Sequence, residues 1–475
     1  MTKRTMAMAL VLALGVTTLA GCGGAKKGAS SDTGKGSAEG ATELSEYVSS
    51  EEEGKVINIW IWNEEFQTRF NEHYPEVKEA SKDGTTTTLK DGTTVRWITN
   101  PNQQGVYQDE LDEAILNQDS ADPDDRVDMF LAEIDYLAKY IDPESDVAIP
   151  LESLGIDPDK DLADQYQYTR DATSSKDGLQ RASTWQCTPG LFLYRRSIAK
   201  EVLGTDDPDE VGGMISDWEK YGEVAKQMKD KGYYMSSSFA DNQRVYINNI
   251  SRKWVEDGST TVNVDQNVVN WINDTKAGLD NGYIHTTEGL WTDTWNKDQG
   301  ADSKVFGFFG PAWLINFTIE PNYGKEAKPD WAVCNPSQEY YRGGSFLLAC
   351  RGTDNPEHVK DIILKMTADK DVLLGITKDY TEFTNTKSGM QELAADDSFG
   401  SDFLCGQNPY KYYEPACEKI SDVKISPYDQ GCVEGLSVFT DYFNDKVSYE
   451  EAKENFNMHV MERYPDITEV VWPDE

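Results

Sequence analysis

The chain has 475 residues, of which 84 are acidic and 45 are basic, so its formal net charge at pH 7 is −39. A field of that sign repels nucleic acid, anionic lipid and anionic ligands at long range, which argues against nucleic acid as a partner and favours a neutral or cationic ligand. Solubility is the simpler explanation for most of this charge. Hydrophobic residues make up 38% of the chain and aromatic residues 11%, which is enough for a sizeable core.

The first residues have the pattern of a secretion signal. Lys3 and Arg4 form a basic start, and residues 6–20 are an apolar run shorter than the ~20 residues of a spanning helix. Residues 19–22 read Leu-Ala-Gly-Cys, which is similar to the lipobox of bacterial lipoproteins and implies cleavage before Cys22 with a lipid on its thiol. An ordinary signal with a chance cysteine is the alternative. We expect residues 1–22 to be a signal peptide and Cys22 to be the membrane anchor.

Residues 23–54 are mainly Gly, Ser, Ala, Thr, Lys and Glu, with hardly a large apolar side chain. Such a segment buries too little surface to offset its ordering entropy, so it predicts a flexible tether with a reach of about 30 Å. The remaining body of about 420 residues is too long for a single core and predicts two domains.

The body begins with a strand-to-helix unit. Apart from Asn58, residues 56–62 are apolar, β-branched or aromatic, which predicts a central parallel strand that is buried on both faces. Phe66, Phe70 and Tyr74 then recur every four residues, which indicates a helix with an aromatic stripe on the sheet. Ligands of open parallel sheets bind beyond the carboxyl ends of the strands, which is where Trp62 stands. As a single residue, this Trp is better interpreted as part of the core.

Later stretches repeat the alternation of strand and helix. Residues 126–131 and 191–194 read as short buried strands. A capping box at Ser216 to Glu219 predicts the start of one helix, and Asn355 followed by Pro356 predicts the start of another. This alternation predicts an α/β protein.

Six cysteines follow Cys22, an even number for an exported protein, so disulfides are permitted but not required. Cys334 and Cys350 lie inside strand-like runs, where a buried thiol behaves as a small hydrophobic group. Any bridge is expected among Cys405, Cys417 and Cys432.

Signs of metal, cofactor or catalytic chemistry are absent from the sequence. The four His are scattered without metal-site or dyad spacing, and no phosphate-binding loop follows a strand. The sequence does not decide for or against a pair of carboxylates that would hydrolyse glycosides, because 84 acidic residues supply many pairs and a sequence gives no distance between them. We expect no catalytic residue, no metal and no cofactor.

Trp and Tyr accumulate in short segments marked by glycine or proline, where a loop would meet a cleft. Sugars present an apolar C–H face and a rim of hydroxyls, so aromatic rings flanked by polar side chains suit them. The segments contain Trp62, Trp185, Trp291 with Trp295, Trp313, and Tyr340 with Tyr341. Each ring alone has a core interpretation, and their joint placement favours a ligand.

Several segments, taken in order from about Lys55 to Met366, are similar to the carbohydrate-binding extracellular solute-binding proteins of bacterial ATP-binding-cassette (ABC) importers. The segments are INIWIWNEEF, VDMF followed by EID, STWQCTPGLFLYRRSIAKEVLG, SDWEKYGEVAKQMKDKGY, FFGPAW and GGSFLLACRGTDNPEHVKDIILKMT. The resemblance implies a two-lobed periplasmic-binding-protein-like fold with hinge strands and sugar bound in the interlobe cleft. The residues that it places against the ligand are Trp62, Asn63, Glu64, Glu133, Asp135, Trp185, Arg244, Tyr246, Trp313 and Tyr341.

The division expected from this resemblance gives residues 55–182 and 301–344 to the N-terminal lobe and residues 183–300 and 345–475 to the C-terminal lobe. Connecting segments are expected near residues 181–184 and 345–348. The implied function is capture of a neutral sugar, an oligosaccharide, for delivery to an ABC permease by a monomer on the outer face of the cytoplasmic membrane. A surface lipoprotein glycoside hydrolase is the alternative.

Overall fold

The computed structural model describes residues 43–50 and 52–473. The expected signal peptide, Cys22 and the tether up to residue 42 lie outside the described residues. None of the helices in the described ranges is long and apolar enough to cross a membrane.

Strands and helices alternate along most of the chain. The strands are β1 (Val56–Ile61), β2 (Val77–Ala80), β3 (Thr86–Leu89), β4 (Thr94–Thr99), β5 (Met129–Glu133), β6 (Leu191–Arg195), β7 (Ser236–Ser238), β8 (Thr261–Asn263), β9 (Ile284–Thr286), β10 (Gly307–Gly310), β11 (Trp331–Cys334), β12 (Ser345–Ala349) and β13 (Glu469–Val471). The α-helices are α1 (Glu65–His73), α2 (Val106–Leu116), α3 (Ile134–Ile141), α4 (Pro158–Asp161), α5 (Gln167–Thr173), α6 (Arg196–Leu203), α7 (Pro208–Met214), α8 (Trp218–Asp230), α9 (Gln243–Ile247), α10 (Gln266–Asp280), α11 (Asp293–Asp298), α12 (Ala312–Leu314), α13 (Glu320–Tyr323), α14 (Pro356–Ala368), α15 (Lys370–Tyr380), α16 (Lys387–Ala395), α17 (Tyr410–Lys419), α18 (Asp429–Gly435), α19 (Phe439–Phe443) and α20 (Tyr449–Arg463).

The larger sheet has six strands in the order β12-β5-β1-β4-β3-β2. Strand β1 runs parallel to both of its neighbours, β4 and β5, so the prediction of a central parallel strand is confirmed. Phe66, Phe70 and Tyr74 are all buried, and the rings of Phe70 and Tyr74 stack at 4.6 Å. The aromatic stripe predicted for helix α1 therefore lies against this sheet.

A second sheet has three antiparallel strands in the order β10-β6-β11. Two of them lie inside residues 301–344, which were expected in the lobe of β1, yet they pair with β6. Conversely, β12 was expected in the C-terminal lobe and pairs with β5 of the larger sheet. The strand pairing thus departs from the predicted division, because pairing depends on partners far apart in sequence that a local pattern does not identify.

Two connecting segments run side by side between the two sheets. Ser183 and Leu347 exchange backbone hydrogen bonds of 3.1 and 2.7 Å, and Pro189 bridges to Tyr341 further along. Between these contacts Gly343 and Gly344 have φ values of 70° and 114°, which L side chains rarely adopt. The paired segments contain the regions predicted as connections.

The two helices predicted from capping signals are present. Helix α14 begins at Pro356 after Asn355, and its apolar face is buried against the larger sheet. Helix α8 begins one residue later than the capping box suggests, because Asp217 rather than Ser216 accepts the hydrogen bond from the backbone N–H of Lys220.

The end of the expected tether is docked on the body. Within residues 43–54, the backbone N–H of Ser49 donates to Thr353 O and that of Gly54 donates to Asp354 O, each at 2.9 Å. Three apolar residues of the same stretch pack against the core of the larger sheet: Leu44, Tyr47 and Val48. The flexible interpretation is therefore wrong for this part, because these few large side chains supply the burial that the composition of the whole segment lacks.

Within the described residues all six cysteines are free thiols, and five of them are buried. Cys405, Cys417 and Cys432 accordingly form no bridge. In the same ranges no group of three or more His, Cys, Asp or Glu side chains is arranged to hold a metal ion.

Candidate functional site

The candidate site lies at one edge of the larger sheet. Because β1 and β5 are parallel, their carboxyl ends meet there, and the antiparallel strand β12 begins at the same edge with Ser345 opposite Glu133. Trp62 follows β1 directly, and its ring lies 6.5 Å from that of Tyr136 in an edge-to-face arrangement. Gly343 precedes β12 by two residues and therefore also lies beside Glu133.

A cavity of about 650 Å³ opens at this edge. Both halves of the chain contribute to it, since its wall comes from the loop before α2, from the junction of β5 and α3, and from helices α9, α18 and α20. The lining residues are Asn102, Gln104, Gly105, Glu133, Asp135, Tyr136, Phe239, Ala240, Gln243, Arg244, Gln430, Val433, Glu434, Ser437 and Arg463. Amide, carboxylate and guanidinium groups therefore dominate its wall, with two aromatic rings among them.

An ion pair crosses the cavity. Nη1 of Arg244 donates to Oδ1 of Asp135 at 2.6 Å, and Nη2 of the same guanidinium donates to Oδ2. Asp135 lies in the first turn of α3, directly after β5 of the larger sheet, whereas Arg244 lies on α9, which packs through Val245 with the core of the second sheet. This two-point contact fixes the relative orientation of both groups, as planar guanidinium–carboxylate pairs do.

Two further carboxyl groups near this pair have perturbed acidity. Burial, followed by the neighbouring Asp135 carboxylate, raises the pKa of Glu133. Burial raises the pKa of Asp429 to about 7, although hydrogen bonds from Ser426 oppose the shift. Among the described residues no donor forms a hydrogen bond with the Glu133 carboxylate. Its oxygens are therefore free to accept hydrogen bonds from a ligand.

Trp313 lies close to Glu133. A Cβ added to Gly343 would stand 3.4 Å from Oε1 of Glu133 and 3.8 Å from Nε1 of Trp313, so one glycine separates the carboxylate from the indole. The Trp313 Nε1 donates to the backbone oxygen of Arg342 at 3.3 Å, which orients the ring. Trp313 is half-buried, so part of the indole is accessible to a ligand.

The structure brings some of the predicted contact residues together at this cavity. Glu133, Asp135 and Arg244 line it, while Trp62 and Trp313 adjoin it through Tyr136 and Glu133.

Asn63 and Glu64 are exposed between β1 and α1, outside the cavity lining. Oδ1 of Asn63 accepts a hydrogen bond from the Glu65 backbone N–H at 2.9 Å, so this amide caps the helix.

Three predicted contacts lie elsewhere. Trp185 is fully buried in the core, with its ring 5.1 Å from Phe66 and its Nε1 donating to Glu382 Oε2 at 3.3 Å. Tyr341 is buried and stacks on Tyr168 at 5.6 Å.

Tyr246 lines a separate cavity of about 160 Å³, where its ring stacks on that of Trp218 at 4.2 Å. Trp218, the first residue of α8, is only partly buried there.

Several polar residues of the cavity wall were not predicted from the sequence as ligand contacts. Asn102, Gln104, Gln243 and Gln430 come from three separate loops or short helices, and none belongs to a motif. Gln104 has a φ of 59°, an unusual backbone conformation for a residue other than glycine, but this is visible only in the structure.

Comparison with known proteins gives a family match. A family profile described as bacterial extracellular solute-binding protein matches residues 90–400, more than half of the chain. A search of curated protein sequences finds no match.

Three solved structures are similar in fold. The ABC transporter associated binding protein from B. animalis subsp. lactis Bl-04, in complex with beta-1,6-galactobiose, is 15% identical with a TM-score of 0.63, and the alignment covers 88% of this chain and 100% of that chain. The galacto-N-biose-/lacto-N-biose I-binding protein of Bifidobacterium longum, in complex with lacto-N-biose, is 12% identical with a TM-score of 0.63 and coverages of 88% and 100%. The sugar-binding protein MalE from Xanthomonas citri is 13% identical with a TM-score of 0.62 and coverages of 86% and 98%.

These likenesses confirm the predicted fold class, a two-lobed α/β architecture of the periplasmic-binding-protein type. A similar fold alone does not establish family membership, whereas the match of the family profile over residues 90–400 does. The chain belongs to the family of bacterial extracellular solute-binding proteins.

Proposed function

We propose that this protein captures a neutral sugar, an oligosaccharide, in the cavity between β5–α3 and α9 and delivers it to an ABC permease. The observation that carries the proposal is the Glu133 carboxyl group, which has no hydrogen-bond donor among the described residues, beside the accessible indole of Trp313 in a cavity with a largely polar wall. Because the chain belongs to a solute-binding family, it is a binding protein rather than an enzyme.

The chemistry of the wall suits a carbohydrate. An indole accepts the apolar C–H face of a pyranose, and carboxylate and amide oxygens accept hydrogen bonds from its hydroxyls. The Asp135–Arg244 pair neutralises one charge of each sign inside the cavity, and the lining as a whole carries three carboxyl groups and two guanidinium groups, so an anionic ligand meets no excess of positive charge there. The net charge of −39 further disfavours an anionic ligand at long range.

The contacts proposed for the ligand follow from this geometry. Glu133, Asp135 and Arg244 bind hydroxyls, and the rings of Trp313 and Trp62 stack on sugar faces. Asn63 and Glu64 lie next to Trp62 and reach a longer ligand at that end. The three predicted residues that lie elsewhere, Trp185, Tyr246 and Tyr341, have no direct contact in this proposal.

The solved structures of similar fold support the choice of ligand class. Those described above are complexes with beta-1,6-galactobiose or lacto-N-biose, or a protein described as sugar-binding. Two of them are described as parts of ABC transporters, which supports delivery to a permease.

Incubation of the purified protein with fluorescently labelled neutral oligosaccharides tests the proposal. We expect binding at a ratio of one ligand per chain, with the ligand recovered intact after separation. Recovery of shortened products would favour the glycoside hydrolase instead, and an absence of binding to any neutral oligosaccharide would refute sugar capture.

We also propose that a lipid on Cys22 holds the protein as a monomer on the outer face of the cytoplasmic membrane. The Leu-Ala-Gly-Cys sequence supports this, as does the extracellular character of the family. Replacement of Cys22 by Ala is expected to release the protein from membranes. A Cys22→Ala variant that stays in the membrane fraction after a salt wash would contradict the anchor.

A further inference from the structure

An exposed aromatic group extends from the cavity toward solvent. It consists of Trp313, Trp291 and Phe317, and the outer two side chains are 50% and 69% exposed. The rings of Trp291 and Trp313 are 6.1 Å apart and within 16° of parallel, and Phe317 meets Trp291 edge-on at 6.2 Å. Large aromatic residues on a surface lose the benefit of burial, so a contiguous group of them indicates a binding surface.

Both outer residues sit on unusual backbone. Trp291 has a φ of 67°, in the left-handed region that residues other than glycine rarely occupy. Phe317 lies in a π-helical turn, Ile315–Ile319, inserted between α12 and α13. Irregularities of both kinds are found mainly at functional sites, where the surrounding structure holds them in place.

The turn that carries Trp291 is held from its C-terminal side. Oγ1 of Thr292 donates to the backbone oxygen of Gly289 at 3.0 Å and accepts the Trp295 backbone N–H at 3.3 Å, which caps α11. The strained residue is therefore locked rather than free to relax.

The aromatic group is continuous with the cavity. The Arg342 guanidinium carbon lies 5.6 Å from the Trp313 ring centroid and 5.9 Å from that of Trp291, so one cation contacts both indoles. Trp313 in turn lies next to Glu133, because both side chains approach Gly343 closely. A chain-like ligand that starts at Glu133 would pass over Trp313 and then over Trp291.

We propose that Trp291 and Phe317 form an outer subsite that stacks on the second and later units of a neutral sugar chain whose first unit lies at Glu133 and Trp313. The proposal rests on the proposed sugar binding and adds that the protein selects ligands by length. A sugar chain fits this surface better than a protein partner, because the aromatic group continues into a polar cavity rather than into a flat apolar patch.

Calorimetric titration with two series of probes tests the subsite: malto-oligosaccharides and β-1,6-linked galacto-oligosaccharides of one to five units. In the series that binds, we expect the affinity of the wild type to rise with length. Trp291→Ala and Phe317→Ala should each weaken binding of the longest probe by about tenfold and leave the shortest bound probe unchanged. Leu116→Ala, which removes a 72% exposed apolar side chain outside this group, is the matched control.

A second variant separates folding from binding. Trp291→Gly suits the left-handed backbone, so we expect it to melt at a higher temperature than Trp291→Ala while losing the same affinity for long probes. Unchanged affinity of the Trp291 and Phe317 variants at every length would overturn the subsite alone. If neither oligosaccharide series binds to the wild type, both the proposed binding of these sugars and the outer subsite are refuted.

Discussion

Glu133 combines a binding role with a cost to stability. Its carboxylate is poorly solvated and lacks a hydrogen-bond donor among the described residues, so burial favours the protonated form and raises its pKa. A carboxyl group whose pKa is raised by folding stabilises the protein below the unfolded value of about 4.3 and loses that contribution as pH rises through the folded value. At pH 7, below the folded pKa of about 8, the group is mostly protonated, so the cost of taking up this proton on folding lowers stability, while the uncharged carboxyl group is available to a ligand.

Replacement of Glu133 by Gln keeps the shape of the side chain and removes its ability to ionise. We expect the melting temperature of the ligand-free protein at pH 7 to rise, because the wild type takes up a proton at Glu133 on folding, and the affinity for a neutral oligosaccharide at pH 9 to fall by about tenfold, because hydrogen bonds to the ionised group are the stronger ones. Thermal melts at pH 5 and 7 and calorimetry at pH 9 measure these effects. The surface variant Glu110→Gln should change neither, and a Glu133→Gln variant that binds as tightly as the wild type would exclude this carboxylate from the site.

Trp313 and Trp218 distinguish the two cavities. Truncation of a buried aromatic anchor typically costs about 2 kcal/mol or more, so Trp313→Ala is expected to weaken sugar binding at least about tenfold with little change in melting temperature. Trp218 stacks on Tyr246 in the smaller cavity, so Trp218→Ala should lower the melting temperature and leave the affinity intact. The reverse pattern in calorimetry and melting would place the ligand at Tyr246.

At the scale of helices and strands, local sequence patterns predicted individual elements but not the pairing of the strands. The apolar run of β1, the spacing of Phe66, Phe70 and Tyr74, and the cap of α14 are local signals, and each corresponds to an element of the structure. The partners of β10 and β12 depend on contacts across the chain, and the cavity residues Gln243 and Gln430 depend on loops that fold together. These features have no local signature, which is why the strand pairing and most of the cavity wall were not predicted.

The docked arm, which comprises residues 43–50 and 52–54, ends in a charged contact. The carboxylate of Glu53 accepts from the Glu357 backbone N–H at 2.7 Å and pairs with His358, whose other ring nitrogen faces Asp91. The hydrogen bond with Glu53 raises the pKa of His358. Burial acts to raise the pKa of Glu53, but the hydrogen bonds that Glu53 forms with His358 and with the Glu357 backbone N–H outweigh burial and lower this pKa. Both contributions are complete between about pH 4.3 and 6.5, the unfolded values. The His358 contribution is lost as pH rises through its raised pKa, and that of Glu53 as pH falls through its lowered one.

Glu53→Gln should therefore lower the pKa of His358 toward about 6.5 and speed hydrogen exchange in residues 43–54 at pH 6. NMR titration of the imidazole and mass-spectrometric exchange measure these two effects. Glu52→Gln, one residue earlier and exposed, is the control. If Glu53→Gln leaves the His358 titration unchanged, the ion pair does not hold the arm.

At the scale of the whole molecule, two sheets are joined by the segments of Ser183 and Leu347, and the Asp135–Arg244 pair spans the cavity between them. Glycines at 343 and 344 can absorb rotation in one of the connecting segments. We propose that the two lobes close on the ligand and that the ion pair limits how far they open in its absence.

Arg244→Ala is expected to increase the radius of gyration of the ligand-free protein, and saturating sugar should reduce it in the wild type. Small-angle scattering measures both changes. Arg96→Ala, which removes a surface ion pair between β4 and Asp125 of the turn before β5, should leave the radius unchanged. A wild-type radius that stays constant at saturating ligand would count against closure.

A crystal structure of the protein with its highest-affinity neutral oligosaccharide is the most direct test of sugar capture at the cavity of Glu133. We predict one sugar unit with a hydroxyl within hydrogen-bond distance of the Glu133 carboxylate and a ring face on Trp313, with further units running over Trp291. Sugar bound in the smaller cavity of Trp218 and Tyr246, with the cavity of Glu133 and Arg244 holding only solvent, would contradict the assignment.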